Sequence, residues 1–410
     1  MRVLFTSWAW ASHYMPLAPL VWALQGAGHD VRVASQPALA RVITDSGAAA
    51  VPVGRDLDHA EVRGRQMAGI TSFADVPRVP AAGSSMAAWS PERLRRVRQV
   101  FGTFAAYSDA MLDDLAVFAR GWRPDLVVYD PTTYAGPIVA AALGVPAVRH
   151  VHGIDVTYQA REAIPDLIRD MAGRLGVGEV DVLGDATVDP CPASLQIPAD
   201  LRRIPIRYVP YNGPAVVPDW LRARPARPRV CVTWGTSTSR IAGPDTFLPT
   251  RLVRTLSGMD VDLVMTLSSA DTDRLGKVPE QVRVVDSLAL HLVLPGCDAI
   301  IHQGGNGTIL TAACQGVPQF VLPQIPDQIF QAERLVAAGV GDVVTPGDFD
   351  EAETAKRIEG VLTGEMYRSR ARTLREEMRA RPAPAEAVAQ LEELVAGRWP
   401  PAGQGLKEAD

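Results

Sequence analysis

Seven residues, His302-Gln303-Gly304-Gly305-Asn306-Gly307-Thr308, have the types and spacing to hold an anion. Gly304, Gly305 and Gly307 leave a turn without Cβ atoms, so a ligand can approach the backbone. Asn306 and Thr308 are neutral donors at what reads as a helix start, where unpaired N–H groups and the helix dipole favour negative charge. His302 adds a donor without a permanent charge. The implied ligand is a phosphate or diphosphate; a plain strand-to-helix turn with a buried histidine is the alternative. Gly235-Thr236-Ser237, hydroxyl-rich and glycine-led, is a second anion cradle. Asp327 and Gln328, an acid beside an amide, can take several sugar hydroxyls through acceptor and donor atoms.

Proton chemistry points elsewhere in the chain. His13 lies in the loop Trp8 to Pro16, and Asp130 closes the apolar run PDLVVYD. A carboxylate beside that imidazole would hold one tautomer and stabilise its protonated form, leaving Nε2 to accept a substrate proton. The alternatives are a structural histidine and a helix-capping Asp130. His150 and His152 crowd the next strand end as candidates for lining a pocket. No His/Asp/Glu set has metal-ligand spacing in the sequence.

The elements that must position these residues follow from pattern. Arg2 to Ser7 is a strand, Leu17 to Gly28 a helix and Val31 to Ser35 a second strand, which makes a β-α-β unit and a parallel sheet. Ligands then bind beyond the carboxyl ends of the strands, where His13 and Asp130 fall. The first loop lacks GxGxxG, which disfavours a nicotinamide or flavin enzyme. Pro91 to Arg120 reads as a long amphipathic helix, with Val97, Val100, Phe101, Phe104, Met111, Leu112, Leu115 and Phe118 on its apolar side. Before it, Gly54 to Ser90 lacks periodicity and reads as a lid or binding element. A proline-rich stretch from Arg207 to Arg229 is the expected interdomain connection. Beyond it a second βα array runs through Val230 to Trp234, Val261 to Leu267, Val282 to Val285, Ala299 to His302 and Val317 to Leu322. A final helix from Pro384 to Gly397 puts Ala385, Val388, Leu391, Leu394 and Val395 on its apolar side.

Bulk properties narrow the class. At 410 residues the chain exceeds one ordinary core, so two domains are expected. A net charge of −5 without a basic stripe argues against nucleic acid. No apolar run is long enough to span a bilayer, and the N-terminus lacks the features of a signal peptide. Four scattered cysteines without CxxC spacing fit free thiols of a cytoplasmic protein.

Taken in order, the blocks SHYMPLAPLVWALQGAGHDVRVAS, PDLVVYDPTTYAG, VTWGTS, HQGGNGT and PQIPDQ cover nearly the whole chain. The chain resembles the family 1 glycosyltransferases of GT-B fold, especially the bacterial enzymes that attach deoxysugars to macrolide, aromatic-polyketide and enediyne-type antibiotics. The resemblance implies an α/β fold of two Rossmann-like domains facing a cleft. Residues 1–212 would bind the acceptor, 213–228 link the domains and 229–382 bind the donor, with the helix at about 384–397 packing back on the first domain. It implies direct displacement with inversion and no metal or other cofactor, the donor being a nucleotide diphosphate sugar, with dTDP the nucleotide that the resemblance leads one to expect. By position, His13 matches the base and Asp130 the acid that orients it. His302, Gly304, Gly305, Asn306, Gly307 and Thr308 match the diphosphate site, with Gly235, Thr236 and Ser237 facing the same phosphates. Asp327 and Gln328 match the sugar-binding pair, and Trp8, Tyr134 and His152 are assigned to an apolar aglycone acceptor. Where relatives stack an aromatic ring on the nucleobase, this chain has Ser287-Leu288-Ala289, so base reading falls to backbone bonds around Ser287 and Leu288. Gln331 stands where many relatives have Asn. A nucleotide-sugar epimerase of the same architecture and a non-catalytic auxiliary member are the competing readings. A homodimer and an activating partner protein are both compatible with the sequence.

Overall fold

The computed structural model describes residues 1–66, 89–223, 225–235, 247–286 and 288–398. Its strands form two parallel sheets. The first contains β1 (Arg2–Thr6), β2 (Asp30–Ser35), β3 (Ala49–Pro52), β4 (Leu126–Tyr129), β5 (Ala147–His150), β6 (Ala186–Asp189) and β7 (Arg203–Pro205). The second contains β8 (Arg229–Thr233), β9 (Asp262–Leu267), β10 (Val282–Asp286), β11 (Ala299–His302), β12 (Gln319–Val321) and β13 (Gly341–Val343). Their orders are β3-β2-β1-β4-β5-β6-β7 and β10-β9-β8-β11-β12-β13. Each order reverses direction once, between β1 and β4 in the first sheet and between β8 and β11 in the second. Crevices open at such reversals, beyond the carboxyl ends of the strands.

The four strands flanking these reversals are the apolar runs of the sequence, and helices cover both of their faces. β4, β8 and β11 are buried at every residue, and β1 at all but Arg2, as a parallel sheet between helix layers requires. Successive side chains go to opposite layers. Val3 and Phe5 pack on one side of the first sheet and Leu4 on the other; Val230 and Val232 oppose Cys231 in the second.

Several helices differ from the periodicity. The first begins earlier, as a turn over Ala11–Tyr14 and a 3-10 step over Met15–Leu17 that leads into Ala18–Gly26. Pro16 and Pro19 are tolerated because each falls in the opening turn of its own short segment. Part of the expected lid is a helix, His59–Gln66; residues 67–88 lie outside the described residues. The long helix runs Pro91–Trp122, with Ser90 Oγ accepting from the Arg93 amide at 3.2 Å and Arg123 in the left-handed region at its end. Of its predicted apolar residues, Val100 is exposed.

The last helix, Pro384–Val395, packs against Ala18–Gly26 and places Ala387, Val388 and Leu391 in the core of the first sheet. Glu386 caps it, accepting from the Ala383 amide at 2.6 Å. Ala385, expected on the apolar side, is exposed instead and Ala387 takes its place, because the buried stripe is centred one step further round. The chain therefore passes between the sheets twice, after β7 and before Pro384. An apolar cluster joins the two units. Ile154, Cys191, Leu195, Ile197 and Tyr208 pack with Ile309, Leu310, Phe330, Leu335, Leu374 and Met378.

Candidate active site

The loop after β1 and the end of β4 meet because these strands are neighbours, with Thr6 opposite Tyr129. His13 Nδ1 lies 2.8 Å from Asp130 Oδ1. An ionised carboxylate can only accept, so Nδ1 carries the proton and Nε2 keeps its lone pair. The other carboxylate oxygen is fully engaged. Oδ2 accepts from the Thr132 amide at 3.1 Å, the Thr132 hydroxyl at 2.6 Å and the Thr133 hydroxyl at 2.9 Å. Asp130 is wholly buried, and burial alone would raise its carboxyl. The charge and hydrogen bond of His13, with help from His152 and Thr132, outweigh it and hold the group down to about 2. It stays an anion throughout the neutral range, as a partner for an imidazolium must.

His152 stands on the same carboxylate, with Nδ1 3.6 Å from Asp130 Oδ1 and its ring centre 4.5 Å from that of His13. Burial and the neighbouring His13 push its imidazole down to about 4. His150 does not line a pocket. It is buried at the sheet, its Nδ1 donates to the Val151 carbonyl at 2.9 Å, and burial pushes it down to about 4. The strand ends at His150, so His152 lies on the loop beyond it, where the chain leaves the sheet and turns its ring to Asp130.

Aromatic rings wall this corner. Trp8 sets its edge against His13 at 4.9 Å between ring centres and lies near Trp10, Phe104 and Tyr107 at 5.1, 5.7 and 4.7 Å. Its indole N–H donates to Thr132 Oγ1 at 3.0 Å, which ties the wall to the Asp130 network. His59 reaches the Tyr107 hydroxyl at 2.5 Å. Trp10, Tyr107 and His59 were not singled out in the sequence. The Trp8-Ala9-Trp10 pair was the one local signal, whereas Tyr107 and His59 arrive from distant elements. Tyr134 is withdrawn into the core beside Ile138, and its hydroxyl has no partner; the structure gives it no open face toward an acceptor.

In the second sheet the glycine turn leads into an uncapped helix start. The helix Asn306–Gln315 starts at Gly305 with no side-chain cap and no acidic residue in its first turn, so its leading amides are available to a ligand. Gly304 takes φ +98°, and a Cβ there would stand 3.0 Å from Val321 Cγ1. Gly235, at φ +64°, lies against Gln303, whose Nε2 would be 2.4 Å from an added Cβ, which brings the two glycine turns side by side. Gly307 is open to its surroundings and Thr308 is half-buried. Thr236 and Ser237 of the second cradle, and Ser287 of the nucleobase segment, lie outside the described residues. Leu288 is half-buried beyond β10, packed on the Leu290 and Val293 cluster.

His302 and Asn306 are placed differently from their sequence reading. The Gly304 amide donates to His302 Nδ1 at 2.9 Å, so the proton sits on Nε2, which lies 2.9 Å from Gln319 Oε1. Both ring nitrogens are used within the protein, and burial pushes the ring down to about 4. His302 therefore fixes the turn rather than offering a spare donor. Asn306 Oδ1 accepts from the Ile154 amide of the first unit at 3.2 Å, and an added Cβ on Gly153 would come within 2.3 Å of Asn306 Cγ.

Asp327 and Gln328 open the helix Pro326–Ala337. Gln328 Oε1 accepts from the Gln324 amide at 2.8 Å, which shapes the turn before it. Asp327 is half-buried, and desolvation raises its carboxyl to about 6 against the pull of its own and the Gln328 amides and of the His13 charge. The Ile154–Asn306 hydrogen bond spans the two units, so the glycine turn of the second sheet sits against the loop after β5. Among the described residues, the one group of side chains able to hold a metal is His13, Asp130 and His152.

Residues 22–235 match the family described as erythromycin biosynthesis protein CIII-like, N-terminal domain, and residues 250–394 match its C-terminal domain. The 10-deoxymethynolide desosaminyltransferase of Streptomyces venezuelae is 39% identical across 98% of this chain and 99% of that protein. The tylactone mycaminosyltransferase of Streptomyces fradiae is 38% identical across 97% and 93%. Among solved structures, the glycosyltransferase VinC in complex with dTDP superposes with a TM-score of 0.80 at 31% identity, covering 97% of this chain and 100% of that one. The spinosyn forosaminyltransferase SpnP gives 0.79 at 34% identity, covering 97% and 99%.

Proposed function

The chain belongs to the erythromycin biosynthesis protein CIII-like family of glycosyltransferases, and from that premise we propose that it moves a deoxysugar from a dTDP-linked donor to a hydroxyl of an apolar polyketide-type acceptor, inverting the anomeric centre. In this reading His13 Nε2 takes the acceptor proton as the oxygen attacks the anomeric carbon. The bond from that carbon to the diphosphate breaks, and dTDP leaves. Asp130, through Nδ1, stabilises the imidazolium that forms. The leaving diphosphate is received by the uncapped helix start at Asn306, Gly307 and Thr308, where amides preset toward an anion need no reorganisation as charge develops. Asp327 takes hydroxyls of the donor sugar, and the wall of Trp8, Trp10, Phe104 and Tyr107 receives the acceptor. A cytoplasmic enzyme fits the absence of any membrane-spanning helix among the described residues.

The observation that carries the proposal is the His13–Asp130 contact of 2.8 Å at the carboxyl edge of the first sheet. A positioned general base contributes roughly 10²- to 10⁴-fold to rate. His13→Ala should lose about that much turnover while binding dTDP with unchanged affinity by calorimetry. Full turnover in the variant would remove His13 as the base, and failure of the wild type to bind dTDP would remove the donor.

A further inference from the structure

We propose that His13, Asp130 and His152 form a binding site for a zinc-class divalent cation, and that filling it disarms the transferase. Each side chain comes from a different loop of the first sheet edge and offers one ligand atom, and these atoms lie within 4.8 Å of one another. Around a tetrahedral zinc ion with bonds of ~2.0–2.1 Å, neighbouring ligand atoms stand about 3.3 Å apart. Asp130 Oδ1 is 2.8 Å from His13 Nδ1 and 3.6 Å from His152 Nδ1, on either side of that spacing. With all three ligand atoms inside 4.8 Å, rotation of the two imidazole rings about their side-chain torsions draws them onto one ion.

Two further features suit a metal. The threonine bonds all fall on Asp130 Oδ2, so Oδ1 is presented with its orientation already fixed, as outer-shell partners do for ligating carboxylates. His152 Nδ1 is buried and has no hydrogen-bond partner, so it has no bond to give up on binding an ion. Two imidazole nitrogens with one carboxylate oxygen favour zinc and its transition-metal neighbours over magnesium or calcium, which prefer oxygen shells. His13 and His152 keep 15% and 17% of their side-chain surface exposed, which leaves a path for the ion and room for a fourth ligand.

Occupancy has a chemical consequence. A metal on His13 Nδ1 replaces the proton shared with Asp130, and the neutral ring then carries its proton on Nε2. Nε2 is the atom that must accept the proton of the acceptor hydroxyl. The disarming step therefore rests on the proposed role of His13, whereas the metal site does not. Zinc is an inhibitor here and takes no part in the transfer.

The full-length protein would be titrated with CoCl₂ and followed by visible absorption, then with ZnCl₂ by calorimetry. The expected result is one equivalent of Co²⁺ with ligand-field bands and no thiolate charge-transfer band, displaced by Zn²⁺. In His152→Gln and in His13→Gln the affinity should fall at least tenfold, with dTDP binding confirming that each variant is folded. A thiolate band, a different stoichiometry in the wild type, or equal affinity in both variants would overturn the site. In a turnover assay with a dTDP-deoxysugar and a polyketide acceptor, Zn²⁺ should halve the rate at the concentration that half-fills the site, and EDTA should restore it. Tight binding at this site without inhibition would overturn the disarming step and point to a failure of the base assignment, whereas absence of binding would overturn the metal site alone.

Discussion

At the scale of single residues, Asp130 has two separable effects. Asp130→Asn removes the charge that stabilises a protonated His13 and permits the wrong tautomer, so turnover should fall by about a thousandfold or more. The same residue contributes to folding. Its native carboxyl sits near 2 against 3.8 ordinarily, so its stabilisation is complete above about pH 4 and is lost as pH falls toward 2. Denaturant midpoints should show the wild type losing up to about 2 kcal/mol more than Asp130→Asn across that window. Asp327 runs the other way. Its carboxyl is raised to about 6, so it becomes an acceptor-only carboxylate as pH rises through 6. The KM for donor should fall over that rise and flatten in Asp327→Asn; an unchanged slope in the variant would remove Asp327 from the sugar site. For stability the sign reverses, because the folded form holds this proton more tightly, and its contribution fades between about pH 4 and pH 6. Sequence made His13 and Asp130 legible because each closes or follows a strand at a sheet reversal. It could not show that His302 spends both nitrogens on Gly304 and Gln319, since Gln319 reaches it from the next strand.

At the scale of elements, the strands flanking the reversals were readable as apolar runs, and Ala299–His302 was expected to the residue. The strands β3, β6, β7 and β13 were not, because each is three or four residues long and broken by a proline or a charge, which leaves neither an apolar run nor an alternation above chance. Helices Glu351–Thr363 and Glu365–Ala380 carry mostly charged faces, with few apolar residues to mark a period. The C-terminal helix was legible as amphipathic, but its phase was off by one position at Ala385. Leu391 is fully buried between that helix and the first sheet layer. Leu391→Ala should destabilise by about 2–5 kcal/mol; a denaturation midpoint within error of the wild type would show that the helix is only loosely docked.

At the scale of the whole molecule, the interface between the two units depends on residues far apart in sequence, which is why no local pattern revealed it. Arg334, on the helix that Asp327 opens, donates to the Leu195 carbonyl at 3.1 Å and the Gln196 carbonyl at 2.8 Å. Gln196 in turn donates to the Gly153 carbonyl at 3.2 Å, beside His152. Together with the shared apolar cluster, these bonds should make the units unfold as one, giving a single calorimetric transition. Arg334→Met leaves two buried carbonyls without their donor and should lower that transition by about 1–3 kcal/mol. Two resolved peaks in the wild type would contradict the coupling. The return of Pro384–Val395 to the first sheet also has a meaning for synthesis. On the ribosome the first sheet emerges early, yet Ala387, Val388 and Leu391 of its core are among the last described residues to be made. That half must therefore wait with an apolar face uncovered while the entire second sheet is translated, and a nonsense codon near the end of the gene would damage the beginning of the fold.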